Sequence, residues 1–244
     1  MARLPKSISL SLRVLSRLLA YPDAELRRHL PELKAALHAE NAVGQTRLAE
    51  LDALIDTLST ADGLDVEAAY VELFDRGRAT SLHLFEHVHG DSRERGPAMI
   101  DLAQTYQSAG LYLAPDELPD YLPVLLEFAS TQPPREARAF LGEMAHILNA
   151  LFTALGQRQS AYASAIGALL ELAGEKAQAV KVAADEALDE SWTEPPVFDG
   201  CSSRGQSRPK HPNSHPNSHP DSHQHSQPQP IHIVRKDAVK GALA

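Results

Sequence analysis

A single cysteine, Cys201, stands in the 244 residues, which excludes an internal disulfide and any site built from several thiolates, and fits a reducing compartment. Aromatics are sparse, at six Phe, six Tyr and one Trp, while Leu and Ala dominate an apolar share of 43%; that balance favours helices over sheets. No alternating apolar and polar pattern reads as a strand. No apolar run approaches the roughly 18 residues needed to cross a bilayer, and the N-terminus lacks a continuous apolar segment before a small-residue cleavage site. Neither stable membrane insertion nor export is expected, and the cytoplasm is the expected location. Residues 1–22 lack acids and carry Ser and Arg, as transit peptides do, but Ile8, Leu12, Leu15 and Leu19 fall at helical spacing before Pro22, so a first core helix is preferred. The chain also lacks a phosphate-cradling glycine loop and a nucleophile with a base at readable spacing, so no enzyme activity is expected.

What is present is acid, unevenly spread. The net charge of −9 combines 17 Lys/Arg against 30 Asp/Glu in residues 1–200, about −13, with six Lys/Arg against two Asp in residues 201–244, about +4. Such a body repels nucleic acid and anionic lipid and favours a basic partner, though plain solubility explains the same charge.

The length suits one sizeable domain with an appendage. Leu48, Leu51, Ile55 and Leu58 form one helical stripe, and Phe140, Met144, Leu148, Leu151 and Leu155 another. With stops at Gly63, Gly77, Gly90, Gly110, Pro115 and Gly156, the pattern predicts an all-α bundle of about eight or nine helices. Asp120 as N-cap predicts a helix over 121–130 with Pro123 at its third position, and Pro133 and Pro134 suit the first turn of one long helix carrying Phe140 to Leu155. The helical domain is assigned to residues 1–198. Residues 199–244 form a Ser, Pro, His, Asn and Gln tail that cannot bury enough surface to offset its ordering, so disorder is expected there. Six of the twelve histidines lie between His211 and His232, a density able to chelate Zn²⁺, Ni²⁺ or Cu²⁺ loosely, which raises metal storage as a function; the spacing defines no site.

Residues 69–102, AYVELFDRGRATSLHLFEHVHGDSRERGPAMIDL, mix three histidines, four arginines and six acids with large apolar residues. His83-Leu84-Phe85-Glu86-His87 matches the inverted zinc-protease pattern, in which two histidines share a helical face and the glutamate serves as base. That reading, a zinc-dependent hydrolase, lacks a further carboxylate ligand and the strands that would hold a substrate; histidines satisfied by carboxylates or carbonyls are the plainer state. Arg76 follows Glu72 by four residues, as a helical ion pair would. Asp91 and Glu94 have capping-box spacing, although Pro97 points to a short turn at 93–96 before a helix starting at Pro97; Arg93 and Arg95 stay unassigned. Alternatively, Asp75, Glu86, Asp91 and Glu94 form an acidic rim around an apolar floor of Tyr70, Phe74 and Phe85, a surface suited to a positively charged amphipathic helix.

YVELFDRGRATSLHLFEHVHGDSRERGPAMIDL, together with DELPDYLPVLLEFAS at 116–130 and EPPVFDG at 194–200, resembles the respiratory nitrate reductase assembly chaperones. This is the NarJ or delta-subunit family, within the wider TorD-like group. The resemblance spans roughly residues 5–200. It implies an all-helical, cytoplasmic chaperone without a cofactor of its own. Such a chaperone binds the N-terminal segment of the apo nitrate reductase alpha subunit, keeps that enzyme open for molybdenum cofactor insertion and delays its membrane attachment; molybdenum-cofactor biosynthesis proteins are further candidate partners. Carried over by position, Tyr70, Phe74, Asp75, Arg76, Arg78, Phe85, Glu86, His87, Asp91, Arg93 and Arg95 belong to the signature, and Asp120, Tyr121 and Glu127 to the second block, as client-binding candidates.

Overall fold

Ten α-helices and one 3-10 turn carry the residues that the computed structural model describes, 7–90, 92–115 and 117–180. They are α1 (Ser9–Leu19), α2 (Ala24–Glu40), α3 (Gln45–Thr60), α4 (Gly63–Phe74), α5 (Leu84–Val88), α6 (Arg95–Ser108), α7 (Leu122–Thr131), α8 (Pro134–Glu143), α9 (Ala145–Gln157) and α10 (Ala163–Ala173), with the turn at Arg78–Thr80. Among the described residues there is no β-strand beyond a one-residue bridge between His83 and Tyr121. The all-α expectation holds. Both the 198/199 boundary and the histidine-rich tail lie outside the described residues.

The helical spacing of α1 is matched by burial. Ile8, Leu12, Leu15 and Leu19 are fully buried, and α1 packs along α7 while also touching α2 and α10. Two α1 serines fix that contact, Ser16 donating to the Pro123 carbonyl at 2.8 Å and Ser9 to the Ser130 carbonyl at 2.6 Å. Helix α10 is apolar nearly all round and buried to match, between α3, α8 and α9. It ends at Gly174, whose φ of +86° is the left-handed cap that glycine adopts without a steric cost.

Several local expectations are corrected. The helix over Phe140 to Leu155 breaks at Met144, and α8 and α9 are bent by 65° from one another. The break follows Gly142, a weak helix former, and lets both segments pack on α10, which one straight helix could not do. Gly63 opens α4, and Gly156 lies in the last turn of α9. Asp120 does not cap α7: the helix starts at Leu122 behind Tyr121, and Pro123 stands second, where a missing N–H still costs nothing. Helix α6 begins at Arg95 rather than Pro97, without a side-chain cap, which leaves Pro97 in the first turn; Asp91 lies outside the described residues. Among the described residues no single helix is long and apolar enough to cross a membrane.

Candidate peptide-binding cleft

Helix α4 turns Val66, Tyr70 and Phe74 inward at successive turns, and its C-terminal cap, Asp75, stays exposed. The chain then passes through the 3-10 turn into an extended step at Leu82 and His83. This step pairs with the loop ahead of α7, Leu122 donating to the Leu82 carbonyl at 2.9 Å and Leu84 to the Asp120 carbonyl at 3.0 Å. Two segments separated by some forty residues of chain are thereby joined, and Tyr106 secures the second by donating to the Pro119 carbonyl at 2.7 Å.

Asp120 anchors this junction. Its carboxylate is fully buried and accepts from the backbone N–H of Phe85 at 3.2 Å, in the first turn of α5. Arg95 reaches it at 3.7 Å and also reaches Glu86 at 3.5 Å, while His83 Nδ1 stands 3.4 Å away. The His83 ring stacks on Tyr121, with centroids 5.2 Å apart. The Tyr121 hydroxyl lies 3.1 Å from that of Tyr70, which itself donates to the Leu19 carbonyl at 2.8 Å. Burial and the neighbouring Tyr121 push the Tyr70 phenol far above its ordinary pKa, and burial raises Tyr121 as well. Both phenols stay neutral donors at physiological pH.

Tyr21, Tyr70, Phe74, Asp75, Leu82, His83 and Tyr121 enclose a cleft of about 220 Å³. The Tyr70 ring meets Tyr21 edge-on at 5.6 Å and Phe74 at 4.7 Å, and Tyr162 packs edge-on against both Tyr70 and Phe74.

Of the candidates named from the sequence, Tyr70, Phe74, Asp75 and Tyr121 line this cleft, and Asp120, Glu86, Arg95 and His87 hold its wall. Phe85 packs edge-on against His89 rather than on the cleft floor, and Glu86 is engaged with Arg95 rather than standing on the rim. Arg76 pairs with Glu72 at 2.8 Å in the open, and Arg78, Arg93 and Glu94 are exposed. Glu127 sits apart on α7, lining a second cavity of about 390 Å³ with Arg13 and Arg17. Tyr21 was not legible as a site residue, because a lone tyrosine before Pro22 reads only as the end of α1. Leu82 and Tyr162 carried no signal beyond ordinary core residues.

The zinc pattern does not assemble. His83 lies in extended backbone before α5, so it does not share a helical face with His87. His83 turns to Asp120, His87 Nε2 donates to the Ser81 carbonyl at 2.8 Å, and Glu86 faces Arg95. Among the described residues no group of three or more His, Cys, Asp or Glu could hold a metal ion.

Residues 20–168 match the family model described as nitrate reductase delta subunit. The chain is 46% identical over 185 residues, 75% of its length and 78% of the other's, to the nitrate reductase molybdenum cofactor assembly chaperone NarJ of Escherichia coli strain K12. NarW of the same strain, provisionally given the same description, is 40% identical over 196 residues, covering 76% of this chain and 82% of its own. In fold, the chain is similar to a crystal structure described as a candidate redox enzyme maturation protein from Archaeoglobus fulgidus, with a TM-score of 0.50 at 20% identity, covering 72% of this chain and 99% of that one. These are assembly and maturation proteins rather than catalytic enzymes, and the chain belongs to the nitrate reductase delta-subunit family.

Proposed function

We propose that this protein is an assembly chaperone for a nitrate reductase. In this reading it acts in the cytoplasm, binds the N-terminal segment of the apo alpha subunit, keeps that subunit open while molybdenum cofactor is inserted, and delays membrane attachment until loading is complete. Cofactor-biosynthesis proteins are the further partners this role calls for. The observation that carries the reading is the 46% identity to an assembly chaperone over three quarters of the chain. The cleft supports it chemically: an aromatic floor beside the exposed Asp75 carboxylate offers an apolar and a charged contact to a basic, amphipathic segment. Within the cleft, Tyr70, Phe74, Asp75 and Tyr121 are the client-contacting candidates, while Asp120, Glu86, His87 and Arg95 act through the wall they hold.

The test is maturation of the client. In a host without its own chaperone, co-expression with the co-encoded nitrate reductase is expected to restore molybdenum content and nitrate reduction. A reductase that loads equally well without this protein would sink the proposal.

A further inference from the structure

We propose that the 220 Å³ cleft is a receptor for one basic side chain of the client segment, its guanidinium or ammonium seated against the tyrosine faces and paired with Asp75. The proposal rests on the chaperone reading above and gives the cleft a specific ligand chemistry.

Size comes first. A cleft of this volume falls below the roughly 300 Å³ at which pockets take up whole drug-sized ligands, and so admits the end of a long side chain rather than a helix. It is lined by the rings of Tyr21, Tyr70, Phe74 and Tyr121, held in fixed mutual positions by the ring contacts and the Tyr70–Tyr121 hydroxyl pair. Aromatic faces carry negative potential, so a space lined by rings favours a cation that reaches the face of an exposed one such as Tyr21.

The charges agree. Among the described residues no cation or hydrogen-bond donor engages the Asp75 carboxylate, and no Lys or Arg lines the cleft. Its single titratable base, His83, is held against the buried Asp120. Glu67 accepts from the Tyr21 hydroxyl at 2.9 Å and so sets a second carboxylate beside one of the lining rings. The field of Asp75 reaches three phenols: behind the larger effects of the Glu67 hydrogen bond at Tyr21 and of burial at Tyr70 and Tyr121, it raises the pKa of each. An anion would meet that field unfavourably. An apolar side chain would desolvate Asp75 without giving it a partner, which costs free energy that a cation returns.

The experiment titrates the full chain with the N-terminal peptide of the co-encoded alpha subunit, and with versions in which each Arg becomes citrulline and each Lys norleucine. Neutralising one position is expected to weaken binding about tenfold, and Asp75→Asn to weaken the native peptide about as much, with no further loss when the two changes are combined. Tyr21→Leu is expected to weaken binding and Tyr21→Phe to leave it unchanged, because the face and not the hydroxyl makes the contact; Tyr21 is 45% exposed, so neither change threatens folding. In parallel, N-acetyl-arginine methylamide is titrated by NMR against its citrulline counterpart. Shifts at Tyr21, Asp75 and Tyr121 with the arginine compound alone, abolished by Asp75→Asn, are expected. Equal response to both compounds, with peptide affinity indifferent to every neutralisation, overturns the receptor while leaving the chaperone reading standing. A cleft that takes the arginine compound in a chain that fails to bind the peptide supports the receptor and counts instead against the client assignment.

Discussion

Asp120 is a carboxylate with no exposed surface whose three neighbours, His83, the Phe85 N–H and Arg95, come from the α5 segment and the start of α6, both distant from it in sequence. A buried charge persists only when its partners offset the lost hydration, so removing it exposes what it organises. Asp120→Ala leaves the Phe85 N–H without its acceptor and takes from Arg95 one of its two carboxylates. Breaking a fully buried pair costs about 3–5 kcal/mol, and because the Arg95 and His83 side chains are 28% and 33% exposed the expected loss is smaller, about 2 kcal/mol. Urea unfolding checks this: the midpoint should fall with an unchanged slope, and a shift worth under about 0.5 kcal/mol would show that Asp120 is not the anchor. A second pair of variants separates the hydroxyls behind the cleft. Tyr70→Phe deletes the bond to the Leu19 carbonyl together with the link to Tyr121 and should cost about 1–2 kcal/mol; Tyr121→Phe keeps the first bond and should cost less than half as much. Equal losses would mean that the Leu19 contact contributes nothing.

Glu40, in the last turn of α2, closes the start of another helix. Its carboxylate accepts from the backbone N–H of Leu10 at 3.2 Å and of Ser11 at 2.6 Å, in the first turn of α1, and from the Ser7 hydroxyl at 2.8 Å. Partial burial alone would raise its pKa, but these hydrogen bonds outweigh it and the net shift is downward. A depressed folded pKa contributes stability above the unfolded value, about 4.3 for glutamate, and loses it as pH falls through the folded value. Glu40→Gln should therefore lower the thermal midpoint at neutral pH, and the gap from wild type should close as pH falls from about 6 to about 3. A gap independent of pH would assign the effect to shape rather than charge. Pairs of this kind mark the limit of what the sequence discloses. The stripes of α1 and α3 were legible because burying one face enforces a 3.6-residue period within one segment. Glu40 over α1, Asp120 over α5 and the break at Met144 were not, because each is decided by an element distant in sequence. The Asp120 carboxylate does accept from the first turn of a helix, but of α5, whose N-cap position His83 holds, rather than of the helix that follows it in the chain. The candidate site is half legible for the same reason: Tyr70, Phe74, Asp75 and Tyr121 fall within the first two of the three matching blocks, whereas Tyr21 joins them only through the return of α4 beside the end of α1.

At the scale of the whole chain the controlling quantity is the division of charge, about −13 over residues 1–200 against about +4 over residues 201–244. Long-range attraction for a basic client grows with the first and is diminished by the second, both within a Debye length of about 10 Å at 0.1 M salt. A chain shortened at Gly200 is therefore expected to associate with the basic peptide at least as fast as the full chain, with a steeper loss of on-rate as salt is raised, and with nearly the same dissociation rate, since attraction at a distance changes encounter more than residence. Stopped-flow kinetics of a labelled peptide over a range of salt concentrations separates the two rates. The same shortening removes six of the twelve histidines, so Ni²⁺ or Zn²⁺ retained by the full chain should largely disappear. If the shortened protein still matures the reductase, metal handling by the tail is separable from the chaperone role. If maturation fails while peptide kinetics remain intact, the tail contributes a step after client capture, and the acidic body accounts for recognition alone.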